Sequence, residues 1–310
     1  MSDIERGTLQ ELSVHYAKKQ PHDVEYLTEE SPILASIKWE KATHGLWNVA
    51  EKVTDITGAG FVKMNSALPA AAVASELVKQ DLAIMGAEMF CPEDSAQMMG
   101  GKEKFFAKQM PRILKDAGNA TEHKLIYDNF RAYAIDCEHA VSAGATSSDV
   151  SKGIYSMVAV RFIPGENCGL YSPEGFASGA MLNATPINGG ALYKNSDGIL
   201  GYGVRLKGYF GMQLLNPKGI SCILNISEDK LPTKKQIDKM LIEARANKNN
   251  TKIFMHPQVL AWLGETYKMD IMRVQTNDKG INTQINYWNE IEMISSYNFL
   301  PGTETIKNLD

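Results

Sequence analysis

The chain has 310 residues, 44% hydrophobic and 22% charged, which is the balance of a folded protein with length for one large core or two modest ones. A formal charge of −4 makes it a poor platform for neutralising phosphates, so nucleic-acid binding is not expected of it. No apolar run approaches the roughly 20 residues of a membrane span. The opening MSDIERGTLQ lacks a basic-then-apolar leader, and the cysteines (Cys91, Cys137, Cys168, Cys222) show no C-x-x-C spacing, so they read as reduced thiols of a cytoplasmic product.

Residues 1–31 are polar and weakly patterned; Leu9, Leu12 and Tyr16 suggest a short helix that ends before Pro21, and the segment reads as an arm. Residues 32–91 read as extended. Ala35, Ile37 and Trp39 alternate with Ser36, Lys38 and Glu40, predicting a strand. GLWNVAEKVTDI predicts a second strand, Gly58-Ala59-Gly60 a turn, Ala67–Ala74 a small-residue stretch, and DLAIMGAEMF a closing strand. An excursion of that length without a helix-packed core points to a segment that reaches another surface.

Residues 93–141 read as helical, with Asp94 or Ser95 at the start and an interruption at Pro111. The second piece, from Thr121 to Val141, carries an apolar stripe of Leu125, Ile126, Phe130, Tyr133, Cys137 and Val141 and would be about 30 Å long. After a Ser-rich loop, MVAVRFI (157–163) predicts a buried central strand. A Gly/Asn-rich stretch with several turns follows, then the strands YGVRLKGYFGMQLL and ISCILNI. Thr233 and Gln236 fit a capping box, with Ile237, Leu241 and Ala244 facing inward. IFM (253–255) predicts a strand, Pro257 the first turn of a helix, Asn277-Asp278-Lys279-Gly280 a hairpin, and EIEMISSY the last strand.

Motifs for chemistry fail on spacing. Gly100-Gly101-Lys102 has Ala96 where a phosphate loop needs its first glycine and Glu103 where it needs Ser or Thr. Gly198, Gly201 and Gly203 do not form a dinucleotide fingerprint. Gly175-Phe176-Ala177-Ser178-Gly179 is one residue off a nucleophile elbow. No two of His15, His22, His44, His123, His139 and His256 have metalloprotease spacing, and Cys137 sits on the apolar stripe without an obvious base. No catalytic, cofactor or metal site is assigned. The cluster Met85, Met89, Met98, Met99 and Met110 suits irregular core packing or an adaptable interface.

Four segments carry a resemblance. ESPILASIKWEKATHGLWNVAEKV and KQDLAIMGAEMFCPEDSAQMMGGKEKFFAKQMPRILKDAG resemble major capsid proteins of short-tailed phages of the epsilon-fifteen kind. KIFMHPQVLAWLGE and INYWNEIEMISSYNFL resemble later segments of the same Hong Kong 97-type fold. The resemblance implies an α+β chain with an N-terminal arm (1–31), an extended loop (32–91), a peripheral domain with a spine helix (92–150), an axial domain (151–270) and a return to the peripheral domain (271–310). It implies a shell built of pentamers and hexamers around double-stranded DNA, with no cofactor and no membrane. A separate scaffolding protein is expected, because residues 1–31 are too short for a fused scaffold; a portal and a decoration protein complete the implied partners. The extended loop, with Trp39, Leu46, Trp47, Val49 and Phe61, is expected to contact a neighbouring subunit; the tryptophans filling the chain's own core is the alternative. An encapsulin shell, a phage tube subunit and an unrelated cytosolic α+β enzyme remain open. Lys63 and the asparagines Asn286, Asn289 and Asn298 are not assigned to a crosslink.

Overall fold

The computed structural model describes residues 31–58, 60–64, 66, 67, 70–172, 182–267, 271–278, 281–302 and 304–307. The arm up to residue 30, the Gly175–Gly179 loop and the turn residues Lys279 and Gly280 lie outside the described residues.

The first element of the described residues is a short helix, α1 (Pro32–Ser36), where alternation predicted a strand. Pro32 presets a helical φ in the first turn. The N–H groups of Ile33 and Leu34 donate to the Glu122 carboxylate at 3.0 and 3.4 Å. Ile33, Leu34 and Ile37 all become buried by this turn, which a strand would have split between two faces. The strand that does form, β1 (Trp39–Lys41), is three residues long.

Next come β2 (Trp47–Thr57), β3 (Ala72–Asp81) and β4 (Ala83–Pro92). A short helix, α2 (Glu93–Met98), leads into the long helix. That helix consists of α3 (Lys102–Lys124), a π-helical stretch (Leu125–Arg131) and α4 (Ala132–Asp136). The run is continuous, about 50 Å at 1.5 Å per residue, and Pro111 lies inside it. Proline in a helix interior costs ~3 kcal/mol. Here Phe106, Met110, Leu114, Gly118 and Glu122, spaced four apart and all buried, hold both sides of Pro111 in one helix. Spacing of four on a 3.6-residue turn rotates the buried face by about 40° at each step. The helix therefore packs Phe106, Met110 and Leu114 against Met89, Val204 and Leu206, and further along packs Leu125, Ile126, Phe130 and Ala134 against a different core. It stops at Asp136, short of the expected Val141. Glu138 turns left-handed (φ 59°), and the His139 N–H donates to the Ala134 carbonyl at 2.9 Å. Val141 belongs to a strand, β5 (Ala140–Ser142).

The remaining strands are β6 (Tyr155–Arg161), β7 (Asn167–Tyr171), β8 (Leu182–Pro186), β9 (Tyr193–Lys194), β10 (Leu200–Leu214), β11 (Ile220–Ile226), β12 (Thr251–Met255), β13 (Ile271–Asp278), β14 (Ile281–Trp288) and β15 (Ile291–Ser295). A six-stranded sheet runs β1-β7-β10-β4, with β8 and β9 also on β10. A seven-stranded sheet runs β13-β14-β15-β12-β6-β11-β5. In it β6 is antiparallel to both neighbours and buried from Tyr155 to Val160. Val158, Val160 and Phe162 meet the long helix on one face. Met157 and Ala159 meet α5 (Lys234–Glu243) and α6 (Pro257–Thr266) on the other. Burial on both faces explains an apolar run instead of an alternating one. Thr233 and Gln236 form the expected capping box at α5, where Ile237, Leu241 and Ala244 are buried.

Candidate interaction surface

Among the described residues, strands β2 and β3 pair only with each other, antiparallel, as a two-stranded ribbon. Its root is tied to the body. Leu82 N–H donates to the Leu46 carbonyl (2.9 Å), and His44 N–H to the Trp47 carbonyl (3.1 Å). The Asn48 amide donates to Gln213 (2.6 Å), whose own amide donates to the Gly165 carbonyl (2.6 Å). Ala42, Leu82, Cys168 and Leu170 close a small apolar cluster beneath. Trp47 stacks on His44 with ring centroids 3.7 Å apart and planes 7° from parallel.

Beyond the root, the pairing register sorts the side chains. Trp47, Val49, Glu51, Val53 and Ile56 share a face with Val73, Ser75, Leu77, Lys79 and Asp81. The opposite face carries Asn48, Ala50, Lys52, Asp55, Thr57, Glu76 and Gln80 among others. The register shifts between Val53 and Asp55, where one extra residue enters β2. That bulge decides the chemistry of the face. A regular ladder would set Asp55 against Val73 and turn Ile56 over; the bulge sets Ile56 against Val73. The result is an apolar face that the described residues leave bare: Leu77 is 77% exposed, Ile56 65%, Val73 61% and Val53 51%. The connecting segment adds Phe61 and Met64, both fully or nearly fully exposed.

The five residues singled out from sequence fall in three places. Trp39 leans on its own chain: its indole N–H donates to the Leu34 carbonyl (3.1 Å), and its ring meets Phe210 edge-on at 5.7 Å. Leu46, Trp47 and Val49 lie at the root, with Leu46 49% exposed and Trp47 and Val49 half-buried. Phe61 projects from the connecting segment. Val53, Ile56, Val73 and Leu77 were not singled out. Val53 and Ile56 fall on one face only once the bulge is placed, because it breaks the two-residue period of β2; Val73 and Leu77 keep that period in β3.

A groove of about 450 Å³ lies between β4, β10 and the long helix; Ile84, Met85, Ile113 and Phe210 line it, with Asp116 and Lys124 at its walls. The two strongly buried carboxylates among the described residues, Glu122 and Glu304, are not in its lining and serve internal hydrogen bonds. Burial raises the thiols of all four cysteines above their ordinary range, Cys168 and Cys222 to about 12. Among the described residues no group of three or more His, Cys, Asp or Glu is placed to hold a metal ion, and no helix is long and apolar enough to cross a membrane.

The long helix, the projecting ribbon and the two sheets define a fold class, that of phage capsid subunits of the Hong Kong 97 type. The structure of bacteriophage epsilon15 superposes with a TM-score of 0.55 over 86% of this chain and 86% of that one, at 13% identity. The bacteriophage JBD30 capsid superposes with a TM-score of 0.56 over 88% of this chain and 92% of that one, at 8% identity. No family model matches the chain, and neither does any curated protein. At such identities the shared property is the fold, and it is the fold implied by the sequence resemblance.

Proposed function

We propose that the chain is the major subunit of a phage capsid, assembling as pentamers and hexamers into an icosahedral shell around double-stranded DNA. One observation carries the reading: a ribbon anchored at its root presents an apolar face that the described residues do not cover, on a fold shared with the JBD30 capsid. Two-stranded ribbons are marginal in water, and fully burying a Val, Leu or Ile side chain yields about 1.5–3 kcal/mol. A second copy is the natural cover. Phe61, Met64, Val53, Ile56, Val73 and Leu77 form the contact, with Trp47, Val49 and Leu46 continuing it towards the root. Trp39 acts from behind, by fixing the body on which the ribbon stands.

In this reading the units follow the sheets and not the boundaries implied by the resemblance: the six-stranded sheet and the long helix form the peripheral unit, which takes β7–β10 from within 151–270, and the seven-stranded sheet with α5 and α6 forms the axial unit, which takes β13–β15 from within 271–310. A scaffolding protein, a portal and a decoration protein are the further partners. Assembly takes place in the host cytoplasm, the mature location is the virion, and the enclosed DNA is held without sequence-specific contacts.

The test is sedimentation velocity with electron microscopy on the expressed chain, alone and with a scaffolding protein. Rings of five and six or closed shells are expected. Shells filled with host protein instead of DNA would favour an encapsulin compartment, and open tubes a tail-tube subunit. A monodisperse monomer under both conditions would overturn the proposal.

A further inference from the structure

The segment after β15 follows the long helix and then crosses to the seven-stranded sheet. At its start, Ser296 donates to the Glu122 carboxylate, and the Asn298 amide lies 3.1 Å from Glu122 and 3.3 Å from the Asn119 carbonyl oxygen. Phe299 is fully buried in the core beneath the helix. The Tyr127 hydroxyl lies 3.2 Å from both the Leu300 carbonyl and Glu304. Pro301 rests against the Gly153 backbone, where a Cβ would come within 3.2 Å of it.

The last described residues dock more tightly. The Glu304 side chain is wholly buried. Its Oε1 accepts from Ser156 at 2.8 Å and lies within reach of Tyr127. Its Oε2 faces Arg131 at 3.6 Å, too far for a hydrogen bond, and has no hydrogen-bond donor among the described residues. Arg131 also reaches the Thr305 carbonyl. Asn225, in β11 and itself left-handed (φ 56°), grips the Lys307 backbone twice: it accepts from the N–H at 3.0 Å and donates to the carbonyl at 2.8 Å. These contacts join the π-helical stretch, β6 and β11 through one short piece of chain.

We propose that residues 296–302 and 304–307 belong to a strap whose final part, 304–307, is a clamp between the long helix and the seven-stranded sheet, closed when the Glu304 carboxyl carries a proton and opened when it loses it. The physical reason is the Glu304 site. Arg131 is the cation facing it, at a distance that gives attraction without a hydrogen bond. Tyr127 on the helix and Tyr155 beside Ser156 are kept neutral, since burial raises both phenols. Cys222 on β11 is likewise held as a neutral thiol, with Glu243 adding negative potential there. Lys307 on the strap is exposed. Burial outweighs Arg131, Ser156 and Tyr127 and pushes the Glu304 carboxyl up to about 7. The sign follows. A carboxyl that binds its proton more tightly when docked stabilises docking at low pH, and that contribution is lost as pH rises from the ordinary carboxylate range through about 7. The inference does not depend on shell assembly.

The experiment is hydrogen–deuterium exchange on the full chain, following peptides that cover 300–307 at pH 5 and pH 8, with rates normalised to the free peptide at each pH. Protection is expected to fall at least about tenfold between the two. Glu304→Gln, a neutral isostere, should hold high protection at both. Asn225→Gly keeps the left-handed backbone and removes the grip on Lys307; it should lower protection at both pH values and keep the wild-type ratio. Equal protection at pH 5 and 8 in the wild type, an unaltered ratio in Glu304→Gln, or loss of the ratio in Asn225→Gly would each overturn the proposal.

Discussion

Strand β6 and the β2–β3 ribbon are built from the same kinds of residue and end in opposite states. In β6, Met157, Val158, Ala159 and Val160 are fully buried, covered by the long helix on one side and by α5 and α6 on the other. In the ribbon, Val53, Ile56, Val73 and Leu77 face solvent. The first region completes its burial within the described residues; the second does not, and under the proposed function a second copy completes it. Exposed apolar side chains scattered singly need no explanation, but a face that a bulge keeps apolar does.

The sharpest way to separate the two regions is to damage each alone. Phe254→Ala removes a ring that stacks on Phe130 at 5.9 Å and meets Phe162 at 6.2 Å. It should cost about 3–5 kcal/mol of folding stability, read from chemical unfolding of the isolated chain. Leu77→Lys should do the reverse. The new lysine pairs across the ribbon with Glu51, so the fold is expected to change by no more than about 0.5 kcal/mol, while the apolar face receives a charge and assembly is lost. Ala74→Lys sets an equivalent lysine opposite Asp55 on the other face and should leave assembly intact. If sedimentation shows both lysine variants assembling alike, the face is not the contact. Deleting Thr54 is the milder probe. Thr54 is the extra residue at the register shift, and without it Asp55 still meets Ala74 and Ile56 still meets Val73. Assembly should persist at lower yield; complete loss would assign the effect to the bend of the ribbon and not to its composition.

The same contrast explains what could be read from sequence. The β6 run and the α5 capping box with its inner face were legible because local pattern and tertiary environment agree there, and β13 and β14 pair antiparallel as the hairpin signal implied. The strand expected over 35–40 was not, because α1 depends on Glu122, far along the chain, to receive its N–H groups. Pro111 misled for a similar reason: a proline penalty is local, and the packing that overcomes it is not. The ribbon itself was visible, but the identity of its apolar face was not, since the register shift at Val53–Asp55 is a property of pairing. The buried carboxylates Glu122 and Glu304 had no signal at all, because their partners lie on segments distant in sequence.

The smallest expected effect lies in the self-completed region and should leave assembly untouched. His256 is the N-cap of α6, its Nδ1 accepting from the Gln258 N–H at 3.0 Å, with its ring against Tyr155 and Tyr297. Only a ring unprotonated at Nδ1 can accept that bond. Burial lowers the His256 pKa, so the folded chain holds this imidazole neutral more firmly than the unfolded chain does. The contribution is present above the ordinary histidine range and is lost as pH falls through the depressed folded value. Asn at the same position caps equally well and does not titrate. His256→Asn should therefore match the wild type within about 0.5 kcal/mol at pH 8 and be the more stable of the two in mild acid, with the difference set by the cap, about 1 kcal/mol. Equal losses of stability on acidification in both proteins would place the acid sensitivity elsewhere. A change in assembly at pH 8 would break the separation between a region that finishes its own burial and one whose apolar face the described residues leave open.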